Sequence, residues 1–186
     1  MDKTSRAIAR FRDLSTPRLH LRRYTPGDVD ALHAIWIDPD VRRYLWDEQV
    51  IPRSTALEVV QAALESASTL DFGQWMLTTH RDEPVGFCGF RPFEPRDDEA
   101  ELIYGLLPCW WKRGLAVEAA TAALDWAFDE RGLSRVVAAT DPPNAASVRV
   151  MERLGMRFWK RDLFHGIETV FYVLDRRSIG RHDDRS

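Results

Sequence analysis

Residues 110–120 read Trp-Trp-Lys-Arg-Gly-Leu-Ala-Val-Glu-Ala-Ala, a short basic turn with one glycine, set between a strand-like run, Ala100 to Leu107, and a helical run that continues to Glu130. A helix start exposes backbone N–H groups that have no partner within the helix, and the helix dipole favours negative charge there. Strand, basic glycine turn and helix start therefore form a candidate anion site, to which Lys112 and Arg113 add formal positive charge. The chemistry this suits is the holding of a phosphate-bearing ligand by main chain. A short basic turn taken alone reads more simply as a packed connection with solvated side chains, so its surroundings decide.

Other reactive side chains offer less. Cys88 and Cys109 make no disulfide framework and no metal-ligand spacing. Cys109 lies beside the turn, but Pro108 and two tryptophans flank it and no histidine shares a motif with either cysteine; a buried, inert thiol is expected. A covalent route through Cys88 or Cys109 is the competing mechanism. His20, His33, His80, His165 and His182 are scattered, so no metal site is expected, and His165 reads as a turn residue.

Whole-chain properties narrow the classes further. A length of 186 residues, 45% of them hydrophobic, with seven Trp and nine Phe, suits one domain with a sizeable core. A net charge of −3 and a pI near 6.0 argue against a general nucleic-acid binder. No apolar run is long enough to span a bilayer. Residues 1–13 carry Lys3, Arg6, Arg10 and Arg12 without the apolar centre of a signal peptide. The expectation is a reduced, cytoplasmic protein with no nucleic-acid and no membrane partner.

The elements that must position the turn follow from periodicity and punctuation. Residues 1–13 read as a flexible leader, 14–175 as a single domain and 176–186 as a polar tail. Leu14 to Arg23 reads as a strand with Leu19 and Leu21 on one face. Thr25-Pro26 starts a helix carrying Val29, Leu32, Ile35 and Trp36 at helical spacing. A short helical piece follows around Val41 to Leu45. Ser54 to Ser66 reads as a helix with Leu57, Val60 and Leu64 on its apolar stripe. Gln74 to Thr79 and Val85 to Arg91 are paired strands, with Gly86 and Gly89 marking a bulge or a close approach. Pro92 to Asp98 is a charged loop, and Ala100 to Leu107 is a central strand covered on both faces. The helix from Leu115 to Phe128 is apolar except for a stripe of Glu118, Thr121, Asp125 and Asp129, so it packs into the core, with Gly132 ending it. Arg135 to Thr140 is a strand, Asn144 caps a helix from Ala145 to Leu154 that Gly155 closes, and Met156–Phe164 and Ile167–Asp175 are strands joined at His165-Gly166. This order makes a mixed sheet with helices on its faces. The two strand-to-helix passages, 100–130 and 135–154, follow one another, so their loops open near the same end, where open α/β sheets take ligands.

Four segments together resemble the GNAT acetyltransferase superfamily, and within it the RimJ/RimL-like branch, over most of Leu14 to Leu174. They are Ser15-Thr16-Pro17-Arg18-Leu19 with Tyr24-Thr25-Pro26-Gly27-Asp28; Pro84-Val85-Gly86-Phe87-Cys88-Gly89-Phe90; Glu101 to Pro108 followed by Trp111 to Ala119; and Asn144-Ala145-Ala146-Ser147 through Glu152-Arg153-Leu154-Gly155-Met156. The resemblance implies an α/β (α+β) fold: a mixed, largely antiparallel sheet splayed between two central strands, 100–107 and 135–140, with helices on both faces. It implies acetyl-CoA as co-substrate and no metal. Pantetheine would lie in the splay against the backbone of Tyr104, Leu106 and Leu107. The pyrophosphate would sit on Lys112, Arg113, Gly114 and Leu115 and the N–H groups running to Ala116, which agrees with the anion site read from the turn. Trp111 stands at the first position of that loop, as in the RimJ/RimL-like branch, and Gly114 and Ala116 match. Three positions depart: Lys112 replaces a usual glycine, Ile103 another, and Met151 stands where many relatives carry a tyrosine general acid.

Acetyl transfer to an amine needs a base, a polarised thioester carbonyl and a partner for the leaving thiolate. Glu101 is the candidate base, chiefly on the resemblance, with Glu99 its rival on the same strand face. Ser147, in the first turn after Asn144, is the candidate thiolate partner. Asn144 caps that helix and, by the resemblance, also touches pantetheine. A backbone N–H near Leu106 would polarise the carbonyl. The acceptor is a primary amine, a protein N-terminus or a small amine. The resemblance places its wall at residues 26–50, where Asp40, Asp47 and Glu48 would attract it; Trp36, Trp46, Trp75 and Trp110 read first as core. The alternative is a non-catalytic acyl-CoA-binding or sensor module. The chain is expected as a monomer or as a homodimer through the late strands.

Overall fold

The computed structural model describes residues 11–93, 99–164 and 166–176. The expected leader before Phe11, residues 94–98 of the charged loop, His165 in the last turn, and the tail after Arg176 lie outside the described residues. The strands are β1 (Leu14–Ser15), β2 (Leu19–Arg23), β3 (Gln74–Thr79), β4 (Pro84–Pro92), β5 (Glu99–Leu106), β6 (Arg135–Thr140), β7 (Arg157–Phe164) and β8 (Ile167–Asp175). The helices are α1 (Val29–Trp36), α2 (Pro39–Arg42), α3 (Arg53–Thr69), α4 (Leu115–Asp125) and α5 (Ala145–Arg153).

The strands form one eight-stranded sheet in the order β1-β2-β3-β4-β5-β6-β8-β7. Every neighbouring pair is antiparallel except β5 and β6, which run parallel. That parallel pair keeps register only through Glu99↔Arg135, Ala100↔Val136 and Glu101↔Val137. Beyond Glu101 both strands continue, β5 to Leu106 and β6 to Thr140, without pairing to each other. The sheet is therefore splayed between its two central strands, as the resemblance implied. The opening is half-lined by Ile103, Tyr104 and Gly105, whose partial exposure contrasts with the buried start of the strand.

Helices cover both faces. α4 and α5 pack on one, where Trp75, Phe90 and Trp126 meet the small Ala119, Ala120 and Ala123. On the other, α1 and α3 set Leu32, Trp36 and Val60 against Met76 and Phe87. The β4 glycines mark close approach: a Cβ on Gly86 would lie 2.1 Å from the Gly105 carbonyl oxygen, and one on Gly89 2.5 Å from Gln74 Cα. The β-bulge of this region lies elsewhere, between Leu77 and Thr78 on β3.

Four expectations are corrected. Leu14 to Arg23 is not one strand but a tight hairpin, closed by the Thr16 N–H donating to the Leu19 carbonyl at 2.9 Å. The domain begins before residue 14: Phe11 is buried with its ring 4.5 Å from that of Trp75, whose indole N–H donates to the Arg12 carbonyl at 2.8 Å. The buried stripe of α3 is Ala56, Val60 and Ala63, leaving Leu57 37% exposed. Val60 belongs to both rows, and the small Ala56 and Ala63, clustered with α1, turn the buried face by roughly 65° at about 100° per residue. α4 ends at Asp125 and continues as a π-helical stretch, Trp126–Arg131, before Gly132 at φ 81°.

Candidate active site

The turn before α4 is built from backbone that most residues avoid. Gly114 has φ 76° and Lys112 φ 60°. A Cβ at Gly114 would meet only Arg18 Nη2, at 3.7 Å, so glycine serves the left-handed conformation there and not a shortage of space. Lys112 adopts the same region with a side chain, at a cost of about 1–2 kcal/mol; this is the physical reason glycine suits its position. The Arg113 guanidinium lies over the Trp110 ring at 4.9 Å, Leu115 is buried, and Ala116 is half-buried. The N–H groups of the first turn of α4 thus open beside two basic side chains.

Side chains remote in sequence brace this turn. Arg18 donates from Nη1 to the Arg113 carbonyl at 2.8 Å and from Nε to Glu118 Oε2 at 2.6 Å. Thr16 Oγ1 donates to Glu118 Oε1 at 2.6 Å. Burial works to raise the Glu118 pKa, but the hydrogen bonds from Thr16 and Arg18 outweigh it and hold the carboxyl below its ordinary value. The sequence reading gave none of these three a role in the turn; Glu118 appeared only as part of a polar stripe.

The splay brings β5 and α5 together. Leu107 N–H donates to the Val85 carbonyl at 2.9 Å, so the odd residues of β5 bond to β4 and the even ones, Tyr104 and Leu106, turn their main chain toward the opening. The Leu107 main chain is engaged within the fold, its N–H by Val85 and its carbonyl by the Trp110 N–H at 2.9 Å. The Leu106 carbonyl accepts from Trp111 Nε1 at 2.7 Å, which fixes the exposed Trp111 ring over the strand end. The Tyr104 hydroxyl lies 2.9 Å from Ser147 Oγ and donates to the Ser147 carbonyl at 3.2 Å. Burial pushes the Tyr104 phenol up to about 12, despite the opposing hydrogen bond from Ser147, so it stays protonated. Asn144 Oδ1 accepts from Ser147 N–H at 3.2 Å, as a helix cap, while its amide donates to Thr140 Oγ1 at 2.9 Å. Met151 is fully buried in the core beneath α5.

Glu101 occupies the last paired position before the strands part. Its side chain lies on the face opposite α4, and it is only 7% exposed. Arg91, directly across on β4, grips it with Nε to Oε2 at 2.8 Å and Nη2 to Oε1 at 2.9 Å. Glu99, on the same face, lies 3.9 Å from the Arg135 guanidinium and one step further from the opening. Across the mouth, Asp47 and Glu48 sit in a turn with φ 51° and 65°. Asp47 is close enough to Asp141, in the β6–α5 loop, to add repulsion to the burial that already raises the Asp141 pKa. Trp36 and Trp75 are core as expected, while Trp46 and Trp110 are half-buried.

Cys88 is buried and its thiol is pushed up to about 12 by burial, against a weaker lowering by the Gly89 backbone. Cys109 is exposed, contrary to the expected burial. The 3₁₀ turn Pro108–Trp110 directs it outward because the flanking indoles are both tied down, Trp110 to the Pro84 carbonyl and Trp111 to that of Leu106. Among the described residues no group of three or more His, Cys, Asp or Glu is arranged to hold a metal ion, and no helix is long and apolar enough to cross a membrane.

A sheet splayed beside a helix start, with a carboxylate at the root of the splay, is the arrangement that the resemblance implies. The acetyltransferase (GNAT) domain family matches residues 18–157, and the chain belongs to that family. It is 29% identical over 156 residues to the uncharacterized N-acetyltransferase p20 of Bacillus licheniformis, covering 83% of this chain and 86% of the relative. An acetyltransferase from Agrobacterium tumefaciens str. C58 superposes with a TM-score of 0.77 at 26% identity, over 87% of this chain and 93% of that one. RimL, the ribosomal L7/L12 α-N-protein acetyltransferase, solved in complex with coenzyme A, shares the fold with a TM-score of 0.75 at 18% identity, over 86% of this chain and 95% of that one. The protein is an acyltransferase.

Proposed function

We propose that the protein transfers the acetyl group of acetyl-CoA to a primary amine, by direct transfer with both substrates bound. The observation that carries this is the parting of β5 and β6 immediately after Glu101, beside the basic turn that begins α4. The residues fit the co-substrate: left-handed Gly114 and the first N–H groups of α4 suit a pyrophosphate, and the main chain of Tyr104 and Leu106 suits an amide-bearing arm lying in the splay. Bound there, acetyl-CoA supplies an activated acyl group.

The chain's own groups then divide the work. The Leu106 N–H donates to the thioester oxygen as negative charge gathers on it. Glu101 takes the proton the amine loses, directly or through a water. Arg91 occupies two of the roughly four lone-pair sites of that carboxylate, fixing its orientation and leaving sites for the incoming amine or water. As the carbon–sulfur bond breaks, the Ser147 hydroxyl donates a hydrogen bond to the sulfur, and the Tyr104 hydroxyl turns its one proton from the Ser147 carbonyl to Ser147 Oγ to hold it in place. Met151 takes no part. Burial, with added repulsion from Asp47, disfavours the Asp141 charge, and a cationic acceptor beside the two would relieve it. A protein N-terminus and a small amine both meet that requirement.

The test has two stages. Acetyl-CoA should raise the unfolding temperature, since binding to the folded state alone adds about 2.7 kcal/mol at about 100 times the dissociation constant. Release of free CoA should then follow addition of at least one member of a panel of N-terminal peptides, polyamines and amino acids. Binding without turnover on any of them would favour a non-catalytic acyl-CoA sensor over an enzyme with this acceptor class.

A further inference from the structure

Arg18, between β1 and β2, reaches the turn before α4 and is held at both ends. At one end Glu118 fixes it: Nε and Nη2 lie 2.6 Å and 2.5 Å from Oε2, and the Arg18 backbone N–H donates to Oε1 at 3.0 Å. Thr16 Oγ1 completes the carboxylate at 2.6 Å. At the other end Nη1 donates to the Arg113 carbonyl at 2.8 Å.

That second contact has a geometric consequence. In a trans peptide the carbonyl and the N–H point in opposite directions. Holding the Arg113 carbonyl toward Arg18 therefore turns the Gly114 N–H to the other side, outward at the helix start. Glycine at φ 76° has little steric preference of its own between this peptide orientation and the flipped one, so a partner on the carbonyl decides. The pairing also settles a charge problem. Glu118 stands in the first turn of α4, where an unpaired carboxylate would repel a phosphate; the guanidinium cancels it.

We propose that Arg18 is a positioning residue for the pyrophosphate of the co-substrate: locked by Glu118, it holds the Arg113–Gly114 peptide so that the Gly114 N–H faces the phosphate. This rests on the acetyl-CoA reading above. Three of the five Arg18 N–H donors go to protein groups, and the one on the Arg113 carbonyl lets it act through that peptide.

The experiment compares two ligands on three proteins. Acetyl-CoA is titrated by calorimetry, and S-acetylpantetheine, which has the arm and the acyl group but no phosphate, by NMR, with the parent, Arg18→Met and Arg18→Lys. The expected result is a loss of about 10-fold or more in acetyl-CoA affinity for Arg18→Met, the size of one well-placed charge-assisted donor. S-acetylpantetheine affinity should stay within about twofold, and Arg18→Lys should recover part of the loss. Equal weakening of both ligands would overturn the proposal, because it would make Arg18 a general brace between the β1–β2 hairpin and α4. So would unchanged acetyl-CoA affinity in Arg18→Met. A parent that binds S-acetylpantetheine and acetyl-CoA equally would overturn the placement of the pyrophosphate itself, a separate failure. If Arg18→Met does not fold, Arg18→Gln, which keeps a polar side chain too short to span Glu118 and the Arg113 carbonyl, should show the same ligand-selective loss.

Discussion

The two strand-to-helix passages, β5 to α4 and β6 to α5, have the same local grammar and different consequences. α4 buries Leu115, Ala119, Ala120, Ala123 and Leu124, and its start is a basic turn held in left-handed geometry by remote partners. α5 buries only Met151, and its start is an ordinary asparagine cap followed by a serine hydroxyl. The first passage offers main chain and the second a side chain. A helix locked along its length can hold strained backbone at its start, whereas a helix lying on the surface needs a local cap and can place a hydroxyl over the opening. The turns also differ in charge, with Lys112 and Arg113 on one side and Asp141 on the other, as suits an anionic co-substrate and a cationic acceptor.

The deepest cut should fall where the passages part. Glu101→Gln should lower kcat/KM by about 100- to 10,000-fold while acetyl-CoA still raises the unfolding temperature as in the parent; a variant retaining most activity in the CoA-release assay would shift the role of base to Glu99. On the first passage, Gly114→Glu should weaken acetyl-CoA by about 100-fold through left-handed strain and added negative charge. Gly114→Ala should fall between the two in the same thermal assay, since nothing crowds its Cβ. On the second passage, Ser147→Ala and Tyr104→Phe should each reduce kcat by about 10-fold, an effect of roughly one hydrogen bond, with little change in acetyl-CoA affinity. The double variant should be little worse than either, because the two hydroxyls share one bond; additive losses would separate their roles.

Smaller effects sharpen the contrast in charge. Asn144→Ala should cost about 1 kcal/mol of stability in urea unfolding, as loss of a helix cap does, whereas a side chain at Gly114 costs about 1–2 kcal/mol through left-handed strain. Asp141→Asn should stabilise the fold by a few tenths of a kcal/mol near neutral pH, screened by solvent, while weakening the acceptor. The sign follows from the raised Asp141 pKa: ionisation is disfavoured in the folded state, so the gain is present above that pKa and disappears as pH falls below the ordinary 3.8. Urea midpoints across pH 3 to 7 check it, at about ±1 unit in the transition.

Much of this was legible in the chain because it is local. Thr25 and Pro26 open a 3₁₀ turn, Pro26–Asp28, that leads into α1, with Thr25 N–H donating to Asp28 Oδ2 at 2.6 Å; Asn144 caps α5, and Gly132 and Gly155 end their helices at positive φ, all within a few residues of the signals that announce them. Short apolar runs bounded by turn residues placed β3 to β6, and the joint presence of four motif segments led to the family. The α3 stripe differs because periodicity alone does not say which of two adjacent apolar rows meets the core, and the size of Ala56 and Ala63 settled it. The exposure of Cys109 depended on where two indole N–H groups found carbonyls.

The sequence by itself determined the element order, the basic glycine turn ahead of a buried helix, and the residue types available for acyl transfer, since these depend on backbone preference and on spacing along one chain. Only the tertiary structure decided which of those residues meet. Arg18 finds Glu118 across 100 positions, Tyr104 finds Ser147 across 43, and Arg91 faces Glu101 through strand register. Such pairings depend on distance in space, and they appear only after burial of the core has brought β5, α4 and α5 together at one end of a sheet that does not close.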